Sequence, residues 1–170
     1  RIYIGQRYVG FALNLISDKE EYNINRYVKD LKELNNVFLY SDENGKWSVN
    51  NDVFVNYAIP YLKTGLSQKK LILLDELGGV ELRCIPFMNE IIRVLDDDIP
   101  ILGVLKSKKS ITKLKNKLND SKKSIDNPNT FYKRIQNHHD VEMIYVNKEN
   151  YDNSKEIVEN FVGELFNKRS

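Results

Sequence analysis

The stretch KKLILLDELGGVEL, Lys69 to Leu82, runs four apolar residues, Leu71 to Leu74, into two adjacent acids and then two glycines. An unbroken apolar run of strand length keeps no face for water, so it reads as a strand buried on both sides, as in the parallel sheet of an α/β protein. Pro100 to Leu105, PILGVL, is a second run of this kind. Between the two, Pro86 opens PFMNEIIRVL, in which Phe87, Ile91 and Leu95 share one helical face. Strand, helix, strand is a βαβ unit, and its crossover requires parallel strands. VEMIYV, Val141 to Val146, reads as a third strand of the parallel type. SKEIVENFVGELF closes the sequence as an amphipathic helix with Ile157, Val158, Phe161, Val162 and Leu165 inward.

The beginning of the chain follows a different rule. IYIGQRYVGFALNLI reads as strand, turn, strand, with Gly5-Gln6 as a two-residue loop whose leading glycine suits a type II′ hairpin. From Asp18 to Asn36 the sequence is polar and without a sustained period. A short apolar run, Val37 to Tyr40, and the turn SDENGKW follow. Asn50, Asn51 and Asp52 offer caps to a helix in which Phe54, Tyr57, Ala58, Tyr61 and Leu62 keep helical spacing, and Pro60 should kink it.

Ligands of open α/β sheets bind outside the carboxyl ends of the strands. Asp75 and Glu76 fall there, where one carboxylate can hold a metal ion and the other can order a water. The plain alternative is that the pair caps the following helix. Gly78 and Gly79 would let the backbone bend close to a phosphate, or simply form a turn. Lys106 ends the PILGVL strand, where its charge meets either a phosphate or solvent.

These segments together resemble a known family. VNNDVFVNYAIPYLKTGLSQKKLILLDELGGVEL, continued by PFMNEIIRVLDDDIPILGVLK, is similar to the cancer-related nucleoside-triphosphatases, small P-loop proteins related to RecA-like ATPases and nucleotide kinases. RYVGFAL looks like the early hairpin of that family, and VNKENYDN like its Glu-Asn-Arg segment, with Tyr151 where the family has arginine. The resemblance implies a three-layer fold, a mainly parallel sheet flanked by helices, with an amino-terminal β-hairpin. It implies Asp75 as the acid that holds Mg²⁺ in a Walker B motif and Glu76 as the residue that orients or deprotonates the attacking water. Gly78, Gly79, Lys106 and Asn150 would contact the nucleoside triphosphate. Glu81 matches the Glu-Leu of the family motif, with no role assigned.

The family's phosphate-binding loop, GxxxxGK[ST], occurs nowhere in these 170 residues. The expectation is that it lies upstream of Arg1, since the chain starts without methionine and the family places this loop before the hairpin. A degenerate nucleotide- or nucleic-acid-binding protein is the alternative, and a nucleotide kinase-like phosphotransferase the nearest enzymatic rival.

Composition narrows the partners. One cysteine, Cys84, excludes an intrachain disulfide and a Cys-rich zinc site, which fits a reducing, cytoplasmic setting. No apolar run approaches the roughly 20 residues of a membrane-spanning helix. The net charge of +2 argues against a dedicated nucleic-acid-binding domain. Between Lys106 and Arg134, however, stand nine lysines and one arginine against Asp120 and Asp126, and the rest of the chain is net acidic. Residues 106–139 therefore read as a basic, exposed insertion in one domain spanning 1–170. Phe131 and Tyr132 could stack on bases if that insertion binds nucleic acid. His138 and His139 are adjacent, point apart on a helix or strand, and read as a poor metal site.

Overall fold

The computed structural model describes residues 1–15, 25–68, 71–107 and 128–167. It shows a mixed α/β chain that divides into two compact units, Arg1–Phe131 and Tyr132–Ser170.

The first unit opens with a sheet of five strands in the order β3-β1-β2-β4-β5. β1 (Ile2–Ile4) and β2 (Arg7–Ala12) form the expected hairpin, with Gly5 at φ +57° in the two-residue turn. β4 (Val37–Ser41) pairs antiparallel with β2, and β5 (Trp47–Val49) folds back on β4 through the SDENGKW turn. In that turn Asp42 Oδ1 accepts from Lys46 N–H at 2.9 Å and Gly45 takes φ +77°. β3 (Arg26–Val28) pairs parallel to β1 and lies inside the stretch that the sequence left without structure. It is followed by one 3₁₀ turn, Leu31–Glu33, held by a capping box: the Asp30 side chain accepts from Lys32 N–H and that of Glu33 from Asp30 N–H.

One face of this sheet is aliphatic. Ile2, Val9 and Val37 are buried together, with Ile4, Val28, Leu31 and Leu34 packed against them. A chain of aromatic contacts runs through the same sheet: Tyr27 stacks on Tyr3 at 5.3 Å, Tyr3 meets Tyr8, and Tyr8 meets both Trp47 and Phe11. It continues through Phe38 and Phe54 to Phe87. The chain links the sheet to the helices that follow and passes from an exposed ring, Tyr27, to buried ones, Phe54 and Phe87.

Pro60 is accommodated differently from a simple kink. Residues Phe54–Ala58 wind as a π-turn in which Ile59 N–H reaches the Phe54 carbonyl, five residues back, before α1 (Ile59–Gln68) continues. A proline ring inside a regular helix strikes the carbonyl four residues earlier, and the widened turn opens the register just ahead of the ring. Phe54, Ala58 and Leu62 are buried on the predicted stripe.

β6 (Ile72–Leu77) and β7 (Ile101–Leu105) form the predicted parallel pair, joined through α2 (Ile85–Leu95), which buries Phe87, Met88, Ile91 and Val94. Two expectations are corrected here. β6 is not buried on both faces: β7 is its one strand partner among the described residues, and Leu73 is 53% exposed. A mainly parallel sheet is also not what the described strands form: β1/β2, β2/β4 and β4/β5 pair antiparallel, the first and last of these through short turns, against β1/β3 and β6/β7 parallel.

The second unit contains α4 (Tyr151–Asn167), with Ile157, Val158, Phe161, Val162 and Leu165 on its half-buried stripe as expected. α3 (Pro128–Gln136) leads into it. Val141 to Val146 is not a strand. The Tyr145 carbonyl accepts from the Asn150 side-chain amide at 2.7 Å, and Gln136 Nε2 donates to the Tyr145 hydroxyl, so the segment is held by local side-chain bonds where a ladder was expected. Phe131 and Tyr132 are 5% and 4% exposed, which removes them as base-stacking rings. Of the basic insertion, residues 108–127 lie outside the described residues. No helix among the described residues is long and apolar enough to cross a membrane.

Candidate functional site

The register between β6 and β7 is regular from Ile72↔Ile101 to Leu74↔Gly103 and resumes at Leu77↔Leu105. Two residues of β6, Asp75 and Glu76, therefore stand opposite one of β7, Val104. This is a β-bulge, the device by which a strand redirects side chains next to a site. A regular pleat would send 75 and 76 to opposite faces; the bulge breaks that alternation and both side chains are exposed. Its cost is visible in the backbone. Glu76 has φ +64°, the only described non-glycine residue in the left-handed region, where a side chain costs roughly 1–2 kcal/mol.

Around the bulge the charges are organised. Lys106 N–H donates to the Leu77 carbonyl at 2.7 Å, which fixes the first residue after β7 beside the acids. Its ammonium lies 3.2 Å from Glu76 Oε2. With the Glu76 side chain 55% exposed, this pair contributes little to stability, on the order of 0–1 kcal/mol. Asp75 forms no hydrogen bond or ion pair among the described residues, and its side chain is exposed.

The glycines lead away from the bulge into a 3₁₀ turn, Val80–Arg83. Gly78 has φ +105°. Gly79 is needed for room, because a Cβ there would come within 2.8 Å of Glu81 Oε2 and 3.4 Å of Lys106 Nζ. Glu81 reaches back to accept from the amides of both glycines through Oε1, with Gly79 N–H at 2.6 Å. Burial drives its pKa above the usual carboxylate range, against the opposing pull of those amides and of Lys106. Glu81 is thus the internal brace of the loop, a role the sequence did not assign. The signal was a lone acid inside the otherwise apolar GGVEL, two and three residues after glycines whose amides had no other partner in sight.

Asp75, Glu76, Gly78, Gly79 and Lys106 are brought together within one loop and the adjoining strand end. Asn150 belongs to the second unit, where its side chain accepts from Asn147 N–H at 2.8 Å and donates to the Tyr145 carbonyl, and its own carbonyl accepts from Ser154 N–H as α4 begins. Those bonds give it the role of a helix start.

The cluster lies on a parallel strand pair, and a family profile described as NTPase matches residues 3–159, nearly the whole chain. The chain belongs to the NTPase family. Nucleoside-triphosphate hydrolysis is the general activity that accompanies membership. No curated protein and no solved structure matches the chain significantly.

Proposed function

We propose that this NTPase-family chain provides the metal-holding and water-activating half of a Mg²⁺-dependent site that hydrolyses a nucleoside triphosphate to the diphosphate and phosphate. The observation that carries the proposal is the bulge, which places Asp75 and Glu76, both exposed, opposite Val104 at the carboxyl end of a parallel strand. Mg²⁺ keeps several waters and takes one or two carboxylates together with substrate phosphates, and the exposed carboxylate of Asp75 fits that demand. Bound there, Mg²⁺ would neutralise charge on the phosphates.

Glu76 would orient the attacking water and take its proton. In the structure its carboxylate is paired with Lys106. An incoming γ-phosphate would compete for the same ammonium and leave Glu76 to the water. Gly78 and Gly79 would let the chain pass close to the nucleotide, with Glu81 holding the loop in shape. A phosphotransferase needs a second acceptor site, whereas a hydrolase needs only water, and an exposed Glu next in sequence to the metal acid suits the hydrolase.

The phosphate cradle is proposed to come from residues preceding Arg1, completing a three-layer fold around the parallel β6/β7 pair in a cytoplasmic enzyme. The exposed apolar side chains of Leu73 and Val104 on the β6/β7 pair support a further layer of chain against it. Phosphate release in Mg²⁺ with each common nucleoside triphosphate, from the 170-residue chain and from a longer chain carrying the upstream sequence, tests this. The short chain is expected to be inactive and the longer one active. In the longer chain, Glu76→Gln should lower kcat by about 10²- to 10⁴-fold with KM nearly unchanged, and Asp75→Asn should shift the Mg²⁺ dependence. Small, equal losses from both would mean that the pair only caps the next turn.

A further inference from the structure

His138, His139 and Asp140 follow the end of α3. Neighbouring residues diverge by about 100° on a helix and alternate on a strand, which is why the two histidines read as a poor metal site in sequence. They occupy neither element. Asn137 N–H returns to the Lys133 carbonyl, His138 N–H to that of Ile135, and Val141 N–H to that of His138, so the chain turns tightly at these three residues.

The turn stacks the imidazoles, with centroids 4.8 Å apart and planes 18° from parallel. It also supplies the acid that the sequence reading overlooked. Asp140 Oδ2 lies 2.8 Å from His139 Nε2, and Asp140 N–H makes a long 3.3 Å contact with His138 Nδ1. One ligand atom from each residue falls within 4.8 Å of the others.

We propose that His138, His139 and Asp140 form a binding site for a divalent transition-metal ion of the zinc type, separate from the Mg²⁺ chemistry assigned to Asp75. Two imidazoles and a carboxylate match the ligand preferences of Zn²⁺, with water in the remaining position, whereas Mg²⁺ prefers oxygen alone. Ligand atoms sharing a tetrahedral Zn²⁺ at bond lengths near 2.0–2.1 Å stand about 3.4 Å apart. The His139–Asp140 spacing already falls below that, and rotation of these two side chains toward the half-buried His138, which unstacks the rings and turns their nitrogens toward one point, brings the third ligand in. His139 and Asp140 are 82% and 69% exposed, so the rotations meet no packing. The metal takes the place of the proton between His139 Nε2 and the carboxylate, and the neutral ring then carries its proton on Nδ1. Cys84, the one thiol, is buried and does not compete.

The chain has two histidines, which makes the test direct. Zn²⁺ is titrated into the full chain in the presence of excess Mg²⁺, and the imidazole resonances are followed by NMR. Both rings should shift together and saturate at one Zn²⁺ per chain, and His139→Gln and Asp140→Asn should each abolish the shift of His138. Asp75→Asn should leave it intact. The absence of any shift, movement of one ring alone, persistence of the His138 shift in Asp140→Asn, or the same shifts with Mg²⁺ alone would each overturn the proposal. Far-UV circular dichroism of the variants should be unchanged, since these side chains lie outside the packed stripe; lost helicity with retained Zn²⁺ binding would also count against it.

Discussion

The five-stranded sheet and the β6/β7 pair lie in the same unit and follow opposite rules. In the sheet, glycine sits in the hairpin turn with positive φ, the aliphatic side chains share one face, and aromatic rings are in contact across strands. In the pair, a non-glycine residue holds positive φ, and a buried carboxyl group, Glu81, braces the loop that follows. Each departure falls within a few residues of Asp75. Strain and buried charge persist only where surrounding structure imposes them, and they gather at functional sites. The contrast therefore teaches where this chain is built for packing and where for chemistry.

The same substitution in both regions should break the symmetry most visibly. A Cβ at Gly10 would lie 2.3 Å from the Leu39 carbonyl, backbone against backbone across β2 and β4, while at Gly79 the obstacle is the end of a side chain. Gly10→Ala is expected to cost about 3 kcal/mol or more, or to prevent folding, and Gly79→Ala clearly less. Denaturant midpoints of the two variants decide it, and equal losses would erase the distinction.

Next in size is the loop brace. Glu81→Ala leaves the Gly78 and Gly79 amides without their acceptor and should cost about 2 kcal/mol. The pH dependence carries a sign. Because burial raises the folded pKa of Glu81 above its unfolded value, the folded state retains this proton at pH values where the unfolded chain has released it. Stability from this group is complete below the ordinary carboxylate range and is lost as pH rises through the raised value. Melting temperatures across mildly acidic to neutral pH should show that loss in the native chain and a flatter profile in Glu81→Gln.

The smallest effect sharpens the comparison furthest. Glu76→Gly relieves the left-handed strain and should raise stability by about 1 kcal/mol, less whatever the Lys106 pair contributes. A longer, active chain with this substitution should be more stable and much slower. A loss of stability would mean that the bulge is not strained.

Much of this was legible in the sequence, for identifiable reasons. The hairpin could be read because Gly5-Gln6 has one economical conformation between β-branched residues, and α2 because Pro86 and a 3.6-residue stripe agree. β3 was missed because three residues carry no period, although Asp30 and Glu33 announced the capped turn after it. Val141 to Val146 was misread because apolar content cannot say whether a ladder partner exists. Asp75 and Glu76 were placed by pattern, but their bulge was not foreseeable, since it depends on pairing two residues against Val104 alone. Glu81 and Asp140 were passed over because each acts through a neighbour brought close only by a turn.

The aromatic chain across the sheet has an optical consequence. Trp47 is the sole tryptophan, and Tyr8, in contact with it at 5.7 Å, is itself in contact with Tyr3. Light absorbed by these tyrosines will drain into one indole, so tyrosine-excited emission at the tryptophan wavelength reports whether the five strands are assembled. The β6/β7 pair has neither tryptophan nor tyrosine in its strands, so this emission follows the five-stranded sheet and not the pair as the chain unfolds.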